Sequence, residues 1–174
     1  GPDKILLSLG DHAFDGVKAA PAVSQDMAVA YGKTIEIDTA NGASRIFTSG
    51  HRNPQGAALH PTTGELWDVE HGPRGGDEIN IARAGANYGW PVRSYGCNYG
   101  DRVSDTCRLG GGTHAPEFVE PLTYWVPTSI APSGLAFYTG SMFPEWKGNL
   151  FVGSLAGQAL WRVVLNGDKV VSRE

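Results

Sequence analysis

The sequence of 174 residues has few sulfur-containing side chains, no long apolar run and no block of like charges. No apolar segment approaches the roughly 18 residues of a membrane-spanning helix, so the sequence predicts no helical membrane span. It also lacks the basic segment and apolar core that mark a signal peptide. The net charge of -4 comes from interspersed acidic and basic residues, which argues against a nucleic-acid-binding protein. A neutral or mildly polar small ligand fits this charge.

The only two cysteines, Cys97 and Cys107, lie in the polar segment CNYGDRVSDTC. Neither has a nearby histidine or cysteine at the spacing of a zinc site, so a metal site is disfavoured. A local disulfide is predicted, with two free thiols as the alternative, and it would stabilise the fold by about 2–3 kcal/mol. Such a bond indicates an oxidising compartment, so we expect a periplasmic or secreted protein.

Glycine and proline are abundant where cysteine is scarce. The 24 glycines and 11 prolines are many for a helical protein, but fewer than disordered chains contain. Apolar segments alternate with them, which favours short strands joined by turns. An apolar content of 41% is enough for one hydrophobic core, so we predict a single domain over residues 1–174.

Nine or ten short strands are predicted from apolar segments between turn signals. They cover residues 5–9, 33–38, 45–48, 57–60, 65–69, 78–82, 134–138, 149–154, 159–165 and 169–171. Asn41-Gly42 and Asn166-Gly167 are hairpin signals. One or two helical turns are predicted over 22–31, and residues 91–133 are predicted to form a long irregular excursion that holds the cysteine loop. This pattern favours an all-β sandwich, barrel or propeller.

Two proline-containing loops flank the strand pair at 57–69. They are GHRNPQG at 50–56 and EHGPRGGDEIN at 70–80. The residue before a proline is restricted to extended backbone, so Asn53 and Gly72 are each held in one orientation. Flanking glycines allow the backbone to approach a bulky or planar group. The residues alone leave two interpretations open: a functional centre, or two well-made surface turns.

Several motifs resemble those of the soluble quinoprotein sugar dehydrogenases, in the same order along the chain. They are GHRNPQG, HPTTGELW, EHGPRGGDEIN, ANYGWP, IAPSGLAFYTG and NLFVGSLAG. That family comprises periplasmic glucose, aldose and sorbosone dehydrogenases that use pyrroloquinoline quinone (PQQ). The resemblance implies a six-bladed β-propeller of four-stranded antiparallel blades, of which this chain supplies about half. Gly1-Pro2-Asp3 resembles the family's GPDG turn, which predicts that the chain begins within the domain.

The resemblance implies roles for both proline loops. Arg52 and Asn53 match residues that line the PQQ and sugar site, where an arginine stabilises negative charge as hydride leaves the sugar. The backbone oxygens of Gly72 and Pro73 match ligands of a Ca2+ ion that also holds PQQ. The peptide between His71 and Gly72 is expected near the cofactor plane. Hydrogen bonds that only brace the loops are the alternative for the two side chains of the first loop.

Two aspartates complete the expected site. Asp77 matches a carboxylate close to the Ca2+ ion, and a surface ion pair with Arg74 or Arg83 is the alternative. Asp11 matches the aspartate that orients the catalytic histidine of the family. That histidine precedes the GPDG turn, so we expect it to lie outside this chain and expect this chain alone to be inactive.

Other residues depart from the family pattern or carry weaker hypotheses. His12 and His51 are not at the position of the catalytic histidine, and Ala156 stands where glucose dehydrogenases have a lysine, as in the aldose branch. Trp90 and Trp125 are the tryptophans most expected to stack on a sugar. Glu120 is a speculative second Ca2+ ligand, with a surface carboxylate as the favoured alternative. Scattered loop histidines argue against a zinc site.

The sequence therefore predicts part of a PQQ- and Ca2+-dependent aldose sugar dehydrogenase. Its partners would be an aldose substrate and a small electron acceptor, and either self-association or the missing half of the propeller would cover its open faces. The alternative is a non-catalytic propeller module that binds a protein or a glycan. A short protein that closes a ring by assembling copies is a third possibility.

Overall fold

The computed structural model describes residues 3–16, 22–104 and 106–174, which form three antiparallel β-sheets in chain order. The first sheet has the strands β1 (Lys4–Leu9), β2 (Lys33–Asp38) and β3 (Ser44–Ser49). The second has β4 (Pro54–Leu59), β5 (Leu66–Glu70), β6 (Asp77–Ala82) and β7 (Thr123–Trp125). The third has β8 (Pro132–Phe137), β9 (Leu150–Ser154), β10 (Ala159–Asn166) and β11 (Lys169–Arg173).

Each sheet is a meander, in which every strand pairs with its neighbour in sequence. The hairpin between β2 and β3 turns at Asn41-Gly42, as predicted, and Gly42 has a φ of 73° that few other residues adopt. Consecutive four-stranded meanders are how propeller blades are built. The observed sheets agree with the predicted all-β class and with part of a propeller.

The core lies between the second and third sheets, where β4 and β5 pack against β8. Alternation along β5 and β6 places Trp67, Val69, Ile79 and Ile81 in this core. The opposite face of the same two strands carries Asp68, Glu70, Glu78 and Asn80, all of them buried. The second sheet is therefore apolar on one face and polar on the other, and the polar face lies beneath the candidate site.

Two predictions about elements need correction or completion, and the prediction about the cysteines is confirmed. Residues 22–31 contain only a short 3-10 helix, Val23–Gln25. The segment 91–133 is mostly irregular but includes β7 and the start of β8. Cys97 and Cys107 form the predicted disulfide. The resemblance to a GPDG turn falls partly on residues 1–2, outside the described residues. No helix in the described ranges is long and apolar enough to span a bilayer.

Candidate functional site

Arg52 is held at the start of the loop between β3 and β4 by contacts to both its backbone and its side chain. Its backbone N–H donates to Oε2 of Glu70 over 2.7 Å. Its guanidinium donates to the carbonyl oxygen of His71 (3.1 Å) and to the hydroxyl of Tyr99 (2.8 Å). The same cation lies 5.2 Å from the ring centroid of Trp90. These contacts fix the direction of the positive charge.

The two proline loops meet at Asn53 and His71. The backbone N–H of His71 donates to the carbonyl of Asn53 (3.0 Å), and Nδ2 of Asn53 lies 3.5 Å from Nδ1 of His71. The other ring nitrogen of His71 lies 2.8 Å from the carbonyl of Pro132, at the start of β8. The structure therefore brings together Arg52, Asn53 and His71, three of the residues that the resemblance assigns to the site.

Gly72 lies where the backbone is too crowded for a side chain. A Cβ atom there would lie 2.3 Å from the carbonyl oxygen of Gly75. Its backbone N–H donates to Oδ1 of Asp77 over 2.9 Å. The other carboxylate oxygen of Asp77 accepts bonds from the Ser129 hydroxyl (2.5 Å) and from the backbone N–H groups of Ile130 (2.7 Å) and Ala131 (2.8 Å). Asp77 thus joins this loop to the segment that leads into β8.

These contacts contradict the alternative considered for Asp77, which was a surface ion pair. Asp77 is fully buried, whereas Arg83 pairs with Glu65 and Asp168 on the surface. Arg74 instead donates to the carbonyl oxygens of Tyr99 and Asp101, in the disulfide loop. The two arginines therefore brace other parts of the fold.

Asp11 follows β1 and is buried beside Arg52. Its backbone N–H donates to the carbonyl of Arg52 over 2.8 Å. Its carboxylate accepts a bond from the indole N–H of Trp90 (2.7 Å) and another from the backbone N–H of Ala13 (2.9 Å). The structure places this predicted catalytic residue next to the first proline loop.

A cleft of about 550 Å3 opens above these residues. Its walls include Asp11, Arg52, Asn53 and Tyr99. Volumes of roughly 300–1,000 Å3 are typical of small-molecule sites, so the cleft is large enough for a ligand. The cleft has a cation, an amide, a carboxylate and an aromatic ring on its walls, which suits a planar, oxygen-rich molecule.

A buried polar cluster supports the first proline loop from below. Glu70 accepts bonds from the Arg52 backbone and from Nδ2 of Asn80 (2.9 Å), and it lies 3.2 Å from Nδ1 of His51. Nε2 of His51 lies 2.8 Å from the hydroxyl of Thr48. Burial opposes the ionisation of Glu70 and His51, but their mutual attraction lowers the pKa of Glu70 and raises that of His51. The two side chains form a charged pair.

Asp68 stands next to this pair, and its carboxylate, Glu70 and His51 offer ligand atoms within 4.8 Å of one another. Neither carboxylate oxygen of Asp68 has a hydrogen-bond partner in the described part of the chain. Burial raises the pKa of Asp68 to about 7, with a further contribution from the charge of Glu70. Because His51 and Glu70 are already hydrogen-bonded, we interpret the cluster as a support for the loop.

The sugar-stacking prediction for two tryptophans is wrong. Trp90 and Trp125 are 5% and 6% exposed, so neither offers a face to a sugar, and Trp125 packs against Trp161 in the core. Glu120 is an exposed carboxylate, which agrees with the alternative that the sequence favoured. It accepts bonds from the Tyr95 hydroxyl (2.7 Å) and from the backbone of His114 (2.7 Å), so its oxygens are used within the fold.

Sequence reasoning missed Tyr99 and Glu70 as parts of the site. Tyr99 lies in the disulfide loop, 47 residues after Arg52, and only the three-dimensional fold brings its hydroxyl to the guanidinium. Glu70 is the first residue of the second motif, but nothing in the local sequence indicated that its carboxylate accepts a hydrogen bond from the backbone N–H of Arg52. The one available signal was the strand alternation that places it beside Asp68.

Comparison with known proteins identifies the family. The sequence profile of the glucose / sorbosone dehydrogenases matches residues 2–174. The chain belongs to this family. The aldose sugar dehydrogenase YliI of Escherichia coli K12 is 43% identical over 136 residues, which are 77% of this chain and 35% of that protein. The quinoprotein glucose dehydrogenase B of Acinetobacter calcoaceticus is 56% identical over 169 residues, 71% of this chain and 35% of that protein.

Solved structures of the glucose / sorbosone dehydrogenase family share the fold. The apo aldose sugar dehydrogenase of Escherichia coli superposes with a TM-score of 0.82 at 35% identity, covering 97% of this chain and 50% of that one. A PQQ-bound aldose sugar dehydrogenase from Streptomyces coelicolor superposes with a TM-score of 0.71 at 26% identity, covering 100% of this chain and 46% of that one. The chain spans about a third of the length of these curated relatives and half of the solved structures.

Proposed function

We propose that this chain forms about half of the catalytic propeller of a PQQ- and Ca2+-dependent aldose sugar dehydrogenase. The enzyme would oxidise the hydroxyl group of a sugar by hydride transfer to the quinone. One observation carries the proposal: the guanidinium of Arg52 lies against the carbonyl of His71, at the foot of a cleft that also exposes Asn53 and reaches Asp11. This geometry supports the proposal.

The residues present fit an anionic quinone. Nε of Arg52 is buried and finds no hydrogen-bond partner among the described residues. An unsatisfied guanidinium N–H is unfavourable unless a bound acceptor completes it. Asn53 adds an amide at the same edge of the cleft. Arg52, Asn53 and the His71–Gly72 peptide would hold PQQ, which when bound supplies the carbonyl group that accepts hydride.

The second loop fits a hard cation. Among the described residues, no hydrogen bond is donated to the carbonyl oxygens of Gly72 and Pro73. Neutral carbonyl oxygens are ligands that Ca2+ accepts, and the nearby charge of Asp77 favours a cation. Because its carboxylate already accepts four hydrogen bonds, Asp77 would act through its charge and by fixing Gly72.

The catalytic roles of this chain's own side chains follow from these contacts. Arg52 would stabilise the negative charge that develops on the acceptor oxygen as hydride is transferred from the sugar. Asp11 would orient a histidine that takes the hydroxyl proton and that we expect outside this chain. This chain alone would therefore not oxidise sugar. The disulfide supports a periplasmic or secreted location, and a small molecule would remove the electrons.

Reconstitution of the complete protein tests the proposal. The protein is loaded with PQQ and Ca2+, and dye-linked oxidation of aldoses is measured. Arg52→Ala is expected to lower kcat/KM by about 100-fold or more, since a charge-stabilising group contributes on that scale. Arg45→Ala, which loses only an exposed pair with Glu36, is the matched control. No oxidation of any aldose by the loaded wild-type protein would defeat the proposal.

A further inference from the structure

Trp90 lies between the two residues that the sequence identified as catalytic, Asp11 and Arg52. It is 5% exposed and comes from the ANYGWP motif, far from both in sequence. Sequence reasoning assigned it to sugar stacking, a role that its burial excludes. A buried indole that contacts two functional groups requires another explanation.

The edge of the Trp90 ring fixes Asp11. The indole N–H donates to Oδ2 of the carboxylate over 2.7 Å, within the distance range of charge-assisted bonds. The backbone N–H of Ala13 holds the other oxygen. The carboxylate is thereby held by two donors, one on each oxygen, and its rotation is restricted.

The face of the same ring supports Arg52. The guanidinium carbon lies 5.2 Å from the ring centroid, within the range of a cation–π interaction. Tyr99 contacts the cation from another side, at 5.8 Å. Moving the indole would therefore remove one contact from the Asp11 carboxylate and one from the Arg52 guanidinium at the same time.

Trp90 is itself held by its backbone. Its N–H donates to the carbonyl of Gly50 over 3.0 Å, and its carbonyl accepts a bond from Nε2 of Gln25 over 2.6 Å. Gly50 is the first residue of the first proline loop, and Gln25 belongs to the 3-10 helix. The indole is thus fixed to the same framework that carries the site.

We infer that Trp90 is a positioning residue that sets Asp11 and Arg52 in one mutual arrangement. This inference rests on the proposed function. The indole N–H fixes the carboxylate that orients the proton-accepting histidine, and the ring fixes the cation that stabilises charge. Because Trp90 is buried, its effect is expected to pass through the two side chains it holds.

Trp90→Phe tests the hydrogen bond, because it removes the N–H donor and keeps an aromatic face under Arg52. In the complete, PQQ- and Ca2+-loaded protein it is expected to lower kcat about 10- to 100-fold, the range for misplacement of a catalytic group. KM for the sugar is expected to change less than threefold, about the factor that 0.6 kcal/mol represents. A change confined to KM would overturn the inference.

Trp67→Phe is the matched control for the loss of an indole. Trp67 is fully buried in the apolar core, and its Nε1 has no hydrogen-bond partner among the described residues. This substitution is expected to lower the unfolding midpoint without a comparable loss of kcat. If Trp67→Phe and Trp90→Phe reduce kcat equally, Trp90 has only a packing role and the inference is wrong.

A double-mutant cycle with Asp11→Ala tests the pathway of the effect. If Trp90 acts through Asp11, the double variant is expected to have nearly the kcat of Asp11→Ala alone. Fully multiplicative losses would overturn the inference. Asp11→Asn replaces Asp11→Ala if the latter does not fold.

The same cycle is measured by denaturant unfolding of the cofactor-free protein, which separates this inference from the proposed function. Coupled residues give a double variant whose loss of stability is smaller than the sum of the two single losses. Losses of stability that simply add would contradict an energetic coupling between Trp90 and Asp11. If the wild-type protein oxidises no sugar, the proposed function fails, and the stability cycle still decides whether Trp90 and Asp11 are coupled.

Discussion

Asp68 is a buried carboxylate whose environment disfavours its ionised form. Strand alternation places it beside Glu70 on the buried polar side of β5, where Asn80 is its partner in register. The charged pair of His51 and Glu70 is satisfied by several bonds, whereas Asp68 has none to its oxygens among the described residues. A neutral, protonated Asp68 is the state that such an environment favours.

Asp68→Asn is predicted to stabilise the protein at high pH and to change little at low pH. Burial raises the pKa of Asp68 to about 7, above its value in the unfolded chain. Between these values the unfolded chain releases a proton that the folded protein keeps, so wild-type stability falls as the pH rises. Relative to the wild type, the variant should gain about 1–4 kcal/mol between pH 4 and pH 8.

Denaturant unfolding of both proteins across this pH range measures the effect. Comparing the two cancels the titration of groups they share. Asp101→Asn, at an exposed position in the disulfide loop, is the control for the loss of one carboxylate. A constant difference between Asp68→Asn and the wild type from pH 4 to pH 8 would show that Asp68 is ionised in the folded protein.

Gly72→Ala is predicted to weaken the proposed Ca2+ site. The added Cβ would lie 2.3 Å from the carbonyl oxygen of Gly75, so the loop must move and carry its own carbonyl away. Calorimetric titration of the complete protein with Ca2+ should show affinity reduced about tenfold or more, since 1.4 kcal/mol of strain is enough. Gly134→Ala, where a Cβ meets nothing within 4 Å, is the control. Unchanged affinity would remove Gly72 from the proposed ligands.

At the scale of elements, local signals predicted most strands and missed those defined by tertiary contacts. β2 and β6 were predicted within one residue of their observed bounds, because alternation and flanking turn residues are local properties. β7 has only three residues, Thr123–Trp125, and exists because it pairs with β6. The helical turns predicted over 22–31 reduce to Val23–Gln25, since Ser24 is committed to a bond with the carbonyl of His51.

For the candidate site too, local motifs were predictable from the sequence and tertiary contacts were not. The two proline loops identified Arg52, Asn53, His71 and Gly72, which the structure places together. Tyr99 reaches the site from the segment that looked irregular and Trp90 from the residue just before it, and no periodic pattern marks such contacts. The sugar-stacking role given to Trp90 was wrong because sequence alone does not distinguish a buried indole from an exposed one.

The disulfide loop is the element that connects stability with the site. Replacing Cys97 and Cys107 together by serine is predicted to lower the free energy of unfolding by about 2–3 kcal/mol, the loop-entropy value for a loop of this length. Tyr99 should also become more mobile, although Arg74 still bonds its carbonyl. Amide hydrogen exchange at residues 98–104 measures this. Unaltered exchange in the double variant would show that Arg74 alone holds the loop.

At the scale of the whole molecule, the first sheet has an uncovered edge. Within the described residues, β1 pairs only with β2, whereas the other two sheets each have four strands. Ile5 and Leu7 on β1 are 53% and 45% exposed. Exposed apolar edge strands pair with other chains unless another strand or a charge blocks them. A fourth strand against β1 would complete the blade.

This geometry predicts that the 174-residue chain, expressed alone, associates through β1. Light scattering should give a mass above the 18.5 kDa of one chain, rising with concentration. Leu7→Lys should shift the distribution towards the monomer, because a charged side chain on an edge strand opposes pairing. Val171→Lys, on the exposed strand β11 at the opposite end, is the matched comparison.

The pattern of the two variants separates the possible assemblies. Relief by Leu7→Lys alone indicates pairing of two β1 edges, whereas relief by either variant indicates head-to-tail contact between β1 and β11. A wild-type chain that remains a monomer at every concentration contradicts the prediction. In that case solvent and side chains are sufficient to protect the β1 edge, and the open blade needs no partner to stay soluble.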